Sequence, residues 1–250
     1  MNIIYLNGHF VEDTAPLISH KDCGFTTGIG IFDSMLAQDG KPLHIIEHFE
    51  RIMHDSETVI GLKPDLSFKN FCSIVARLLS HNINGNPYAR IRTTVTGGNV
   101  DTPLAKAQTP TVLIDVAGCT APPETPITCA IITDYPRVTG CILENCKRLD
   151  YSRSYAARRK AEALGAEEAI LTNTEDNITC GATSNIFIEE NGALITPPLS
   201  DGVLAGITRR KLIEDREVKE ESISLQRLKS ADKIYLTNSF MGLRPVKLIV

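Results

Sequence analysis

The chain has no run of lysines and arginines that would mark a nucleic-acid surface, and no acidic tail. Its 26 Lys and Arg against 30 Asp and Glu leave a mild formal charge of -4. Its longest apolar stretches are strand-sized, so no membrane-spanning helix is expected. The opening MNIIYLNGHF lacks a basic start and a long apolar segment, and no signal peptide is expected there. No CxxC pair occurs among the seven scattered cysteines, and no histidine lies at metal-finger spacing. A reduced, cytoplasmic protein fits that pattern. Repeats and low-complexity segments are missing as well.

What is present is an ordinary globular composition. With 250 residues, 42% of them hydrophobic, the chain can build one large domain or two small ones around a sizeable core. His44 and His48 fall one helical turn apart. That spacing suits a metal pair or a plain helix surface, and no third ligand is evident nearby.

Hydrophobic periodicity gives a coarse map. The segment 2-NIIYLNG-8 reads as a strand ending in an Asn-Gly turn. Next, 22-DCGFTTGIGIFDSM-35 leads through three glycines into a strand-like run, and 38-QDGKP-42 predicts a hairpin turn. Ile45, Ile46, Phe49, Ile52, Met53, Val59 and Ile60 recur at helical spacing, with Gly61 and Pro64 as the stop. A second helix is predicted over about 66–81. In 88-YARIRTTVTGG-98, a strand, Arg90 and Arg92 share one face. The strand 111–118 precedes 119-CTAPPETP-126, the clearest linker, with three prolines. Beyond it are expected strands at 127–133, 168–173, 185–190, 193–196 and 233–238, and helices at about 151–164 and 207–215. The stretches 134–146 and 178-ITCGATS-184 read as loops. Strands come in hairpins with helices between clusters, an α+β arrangement of two lobes: 1–118, a linker 119–126, and 127–250.

Several residues suit chemistry. Lys147 in 144-ENCKRLDY-151 sits at a strand-to-helix junction. A lysine there is either a solvated surface residue or a Schiff-base nucleophile, if burial or cationic neighbours such as Arg148 lower its pKa. Gly206 precedes Ile207 and Thr208 at a helix start, where unpaired N–H groups either take an ordinary cap or attract a phosphate. Arg51 lies on the polar side of its helix, either clamping a phosphate or solvated.

In order and spacing, K-x-L-x-Y, GAEEAILTN, T-x-GATSNIF and TPPLSDGVLAGITR resemble the class IV aminotransferases, the pyridoxal-phosphate enzymes of fold type IV. The likeness continues upstream in DCGFTTGIGIFDSM and 48-HFERI-52, and downstream in LTNSFMGLRPV, so it spans most of the chain. The resemblance implies a two-domain α+β fold, with a small N-terminal α/β domain and a larger, barrel-like C-terminal domain, usually homodimeric, with pyridoxal 5'-phosphate held between the domains. It makes Lys147 the lysine that carries the cofactor and moves the substrate proton. It gives the cofactor phosphate to Arg51, Ile207 and Thr208, with Ser239 adding a hydroxyl from the last strand. Asn185 falls in the SN-x-F signature beside the ring. Phe32, Arg92 and Arg244 are expected to meet a small amino-acid-like substrate.

Three departures from the family pattern bear on function. Cys180 stands where most members have a glutamate paired with the pyridine nitrogen; a thiol cannot supply equal charge. The thiol takes that place, or it only packs while water or Thr179 meets the nitrogen. Gly97 stands where D-amino-acid enzymes have an arginine for the substrate carboxylate. The usual GDG is 28-GIG-30. The chain also closes soon after an NS-x-x-GL-x-PV stretch closer to lyase-like members than to the GTA form. These features point to a 4-amino-4-deoxychorismate lyase activity. The other readings are a branched-chain or D-amino-acid aminotransferase and a catalytically weakened cofactor-binding protein.

Overall fold

In the computed structural model, which describes residues 1–15 and 18–249, the chain forms two compact units. The first takes Met1–Ala121 together with Cys146–Asp150, and the second takes Pro122–Asn145 and the chain from Tyr151 onward. The architecture is α+β, with helices set against two sheets.

The first unit starts with strands β1 (Ile3–Leu6) and β2 (His9–Glu12), followed by a short helix α1 (Cys23–Thr27). Then come β3 (Gly30–Gln38), β4 (Lys41–Pro42), helices α2 (Ile45–Ile60) and α3 (Phe68–Asn82), β5 (Tyr88–Thr96) and β6 (Thr111–Gly118). The sheet order is β2-β1-β6-β5-β3-β4. β3 and β5 pair antiparallel along their whole length, from Gly30 opposite Thr96 to Gln38 opposite Tyr88. The β3–β4 hairpin turns at Asp39 and Gly40, both at positive φ (50° and 73°), which the Asp-Gly pair tolerates.

One face of this sheet is apolar by period-two alternation and is covered by helices. Ile31, Met35, Ile91, Val95, Ile114 and Val116 meet Ile52 of α2 and Phe71, Val75 and Leu78 of α3. α2 ends where the sequence predicts, with Gly61 in the left-handed region at φ 76°. Arg90 and Arg92 leave β5 on the face opposite Ile91, as their spacing requires.

The second unit contains β7 (Ile127–Arg137), α4 (Ser152–Ala163), β8 (Glu168–Asn173), β9 (Asn177–Gly181), β10 (Asn185–Glu190) and β11 (Ala193–Thr196). It continues with α5 (Ile207–Asp215), β12 (Val218–Glu220), β13 (Ile223–Ser224), α6 (Leu225–Ser230), β14 (Lys233–Asn238) and β15 (Met241–Leu248). Its nine strands run β12-β11-β10-β14-β15-β7-β8-β9-β13, and an additional pairing of β10 with β9 closes these two and the four between them into a barrel. Ile170, Ile178, Ile186, Ile188 and Leu236 fill one core. A second core is alanine-rich: Ala157 and Ala161 of α4 pack on Ala130, Ala169, Leu171 and Cys180. Small side chains there let the crossover helix between parallel β7 and β8 lie close to the sheet.

Two expectations change, and the closing segment gains an assignment. The stretch from Asn177 to Gly181 is strand, so Cys180 sits in a ladder and not in a loop. β7 runs on to Arg137, and the closing segment is the strand β15. All seven cysteines are free of disulfides. Among the described residues, no helix is long and apolar enough to cross a membrane.

Candidate active site

Lys147 reaches its place through backbone pairing. Residues 146–150 lie beside the start of β3 and extend its hydrogen bonding. Phe32 N–H donates to the Lys147 carbonyl at 2.9 Å, and Leu149 N–H donates to the Gly30 carbonyl at 2.9 Å. Ile31 and Arg148 form the antiparallel bridge between these bonds. On its other side, Lys147 N–H donates to Asp55 Oδ2 of α2 at 2.9 Å. The lysine backbone is therefore held by a strand and a helix together.

Its side chain enters a cationic pocket of the same unit. Lys147 Nζ lies 4.5 Å from the centroid of the Phe32 ring, and the Arg92 guanidinium lies 4.0 Å from it. Burial lowers the Lys147 pKa first and the Arg51 guanidinium lowers it next, so that it falls to about 8 despite Asp33. The cations that act on the amine are Arg51 and Arg92, whereas Arg148 faces Asp150 at 3.8 Å. An amine of that kind is partly neutral near physiological pH, as a nucleophile must be.

Arg51 is itself fixed. Its Nε and Nη2 each donate to Asp33 Oδ2 at 2.8 Å, and His48 Nδ1 meets Asp33 Oδ1 at 2.6 Å. Burial alone would raise the Asp33 pKa. Arg51 and His48 overcome that and hold its carboxyl well below the usual carboxylate range. His48 is thus bound to a carboxylate and is no metal partner of His44. His44 is the residue before α2 and takes the left-handed conformation.

The second unit assembles its own polar group at the barrel closure. Cys180, 3% exposed, pairs with Asn185, the first residue of β10. Asn185 Nδ2 donates to the Leu204 carbonyl at 2.9 Å, which ties the approach to α5 to the start of β10. Gly206 precedes α5 without a side-chain cap, and a Cβ there would overlap Asn185 Oδ1, so no larger residue fits. Ile207 and Thr208 form the first turn, where backbone N–H groups favour an anion. Ser184 Oγ, in the turn between β9 and β10, is buried with no partner among the described residues. The Thr179 hydroxyl is turned to the Leu171 carbonyl at 3.1 Å and to Cys180 Sγ at 3.6 Å.

The first unit therefore brings Lys147, Arg51, Phe32 and Arg92 together, and the second groups Cys180, Asn185 and Ile207 with Thr208. Ser239 lies in the turn between β14 and β15 and not on a strand. Arg244 donates to the Thr125 carbonyl at 2.7 Å and acts on Glu167. Asp33, His48 and Asp55 escape a reading by periodicity. Their one signal is a charge where a strand or helix is otherwise apolar, since such a charge is rarely buried unpaired.

Taken unit by unit, these donors are of the kinds that pyridoxal phosphate takes. A depressed lysine amine suits its aldehyde. Guanidinium groups and a helix N-terminus suit its phosphate. The orphaned Ser184 hydroxyl leaves a hydrogen bond to be made. A strand barrel in one unit and a buried lysine beside the start of β3 in the other are features expected of fold type IV pyridoxal-phosphate enzymes.

The chain belongs to the class IV aminotransferases, because the family described as Amino-transferase class IV matches residues 30–249. Members of this family are pyridoxal-phosphate-dependent aminotransferases or lyases. The chain is 30% identical to the D-alanine aminotransferase of Staphylococcus epidermidis over 259 residues, covering 98% of this chain and 88% of that protein. It is 28% identical to the aminodeoxychorismate lyase of Bacillus subtilis over 252 residues, covering 97% of this chain and 85% of that protein. The fold superposes on the branched-chain aminotransferase of Thermoproteus uzoniensis, solved with norvaline, with a TM-score of 0.90 at 23% identity, over 99% of this chain and 87% of that one.

Proposed function

We propose that this enzyme is a 4-amino-4-deoxychorismate lyase that releases pyruvate and 4-aminobenzoate for folate synthesis. The observation that carries the reading is the setting of Cys180. It is a thiol closed into an alanine-lined core, where the Thr179 hydroxyl donates to it at 3.6 Å. Bound pyridoxal phosphate supplies the electron sink that labilises a bond at the amine-bearing carbon. With Cys180 in the place of the usual carboxylate, that sink would be weaker, and expulsion of a leaving group would be favoured over transamination.

Lys147 is the residue we assign to holding the cofactor and, once the substrate amine displaces it, to taking the proton from the amine-bearing carbon and delivering it to the departing group. Arg51, oriented by Asp33 and His48, and the first turn of α5, with Thr208, serve the cofactor phosphate, and Ser239 adds a hydroxyl. Asn185 sets the ring-side wall. Arg92, stacked with Phe32 beside Lys147, is the stronger choice for the substrate carboxylate. Arg244 is already engaged by Thr125. Gly97 supports the exclusion of D-amino acids. Its position is closed by Cys23 Sγ, 2.7 Å from where a Cβ would stand, and by Ala107 at 3.1 Å. A cytoplasmic homodimer acting on a small amino-acid-like substrate completes the reading.

An aminotransferase for branched-chain or D-amino acids is the second reading, supported by similarity to aminotransferases of both kinds. A weakened cofactor-binding protein is a remote third. Purified protein given aminodeoxychorismate and, separately, amino donors with 2-oxoglutarate separates them. The lyase reading expects 4-aminobenzoate release. Fast transamination without it would sink that reading, and no turnover with any amine would leave the third.

A further inference from the structure

One cluster of ligand-type side chains joins Asp55, which already holds the Lys147 backbone, to two residues with no role above. His54 Nδ1, Asp55 Oδ1 and Cys146 Sγ come from α2 and from the segment carrying Lys147, and these atoms lie within 4.8 Å of one another. His54 Nδ1 and Asp55 Oδ1 are 3.1 Å apart. We propose that these three groups form a site for a thiophilic divalent cation of the zinc or cadmium kind, one carboxylate away from Lys147.

The donor chemistry selects the cation class. Imidazole, carboxylate and thiolate together suit zinc-like ions, whereas magnesium and calcium prefer oxygen alone. Metal–ligand bonds of about 2.0–2.3 Å put tetrahedral ligand atoms about 3.5 Å apart. The cluster therefore has only to close slightly. Its outermost member can do that, because the His54 side chain is 67% exposed while that of Asp55 is 4% exposed. The exposed imidazole gives the ion its entry path and leaves room for a water as fourth ligand. Without a cation the thiol stays protonated, because burial and then the Asp55 charge push it up to about 12. Binding breaks the S–H bond, forms the sulfur–metal bond and releases the proton to solvent.

The site is wired to the lysine through a single carboxylate. Asp55 offers Oδ1 to the cation while Oδ2 accepts from Lys147 N–H at 2.9 Å. Cys146 is the residue before the lysine. An ion bound there adds positive charge next to the residue assigned to hold the cofactor.

The full-length protein carrying its cofactor is titrated with cadmium while the ultraviolet sulfur-to-cadmium charge-transfer absorbance is followed. One equivalent should saturate the signal, and the visible absorbance of the bound cofactor should change in step. Cys146→Ser should abolish both changes. His54→Ala should weaken binding at least about tenfold. A stable Cys146→Ser protein that keeps the full charge-transfer signal overturns the proposal, as does His54→Ala binding at wild-type strength. The ultraviolet titration reads the cation site whatever substrate the enzyme takes. Failure of the lyase reading therefore leaves it intact, and the converse also holds.

Discussion

Cys180 and Asn185 face each other at the one pairing that joins β9 to β10 and closes the barrel. A thiol on one side and an amide on the other make this closure uncharged. The adjoining wall is built from Ala169, Leu171 and Ala182.

Replacing the thiol tests its chemical role. Cys180→Glu places a carboxylate in an apolar core, where it is tolerated only if a cationic group meets it. If the bound cofactor's ring nitrogen is that group, the variant should raise transamination relative to 4-aminobenzoate release. The ratio of the two products from matched assays measures this. An unchanged ratio and an unchanged cofactor spectrum would mean that the thiol only packs.

Asp33 holds two partners at once, so its loss should be costly. Asp33→Asn should destabilise the first unit by about 3 kcal/mol, the usual scale for breaking a buried charge pair, and should weaken cofactor binding by freeing Arg51. The wild-type pKa lies below its unfolded value of about 3.9, so the stabilisation is complete above that pH. It is lost as pH falls through the folded-state pKa. Urea midpoints of wild type and variant should converge in acid and differ most near neutrality.

Lys147 should show its depressed pKa as reactivity. Uptake of pyridoxal phosphate by cofactor-free protein should accelerate as pH rises through about 8, because the neutral amine attacks and burial and Arg51 favour that form. Stopped-flow rates against pH give the midpoint. Arg51→Met removes a neighbouring cation and should move the midpoint upward. Lys147→Ala should show no yellow band at any pH.

Restoring the family arginine at Gly97 should fail. Gly97→Arg must displace Cys23 Sγ, 2.7 Å from the new Cβ, and Ala107. Overpacking of this kind costs about 1–3 kcal/mol. A lower melting temperature and no gain of D-alanine transamination are expected. A stable variant that turns over D-alanine would show that specificity rests on this one position.

The legible parts were those with periodic apolar faces or fixed turn chemistry. The helix ending at Gly61, the hairpin at Asp39-Gly40 and the shared face of Arg90 and Arg92 follow from spacing alone. The strand Asn177–Gly181 was hidden because Ile178 is the one large apolar residue in it. Its strand state comes from closing a barrel, a long-range event with no local signature. Asp33 and Asp55 were hidden for a related reason. A carboxylate declares its role only through its partners, and Arg51 and Lys147 are 18 and 92 residues away in the chain. The pattern of motifs carried the family where spacing could not.

The five residues from Cys146 to Asp150 return to the first unit after the chain has left it at Ala121. They supply the partners of Gly30 and Phe32, so the first unit is completed only when a later part of the chain comes back to it. During synthesis it must wait for residues beyond 150 to clear the ribosome, with the outer edge at the start of β3 unpaired until then. A fragment ending at Ala121 would lack that border as well as the lysine, leaving the start of β3 open to pairing with another chain.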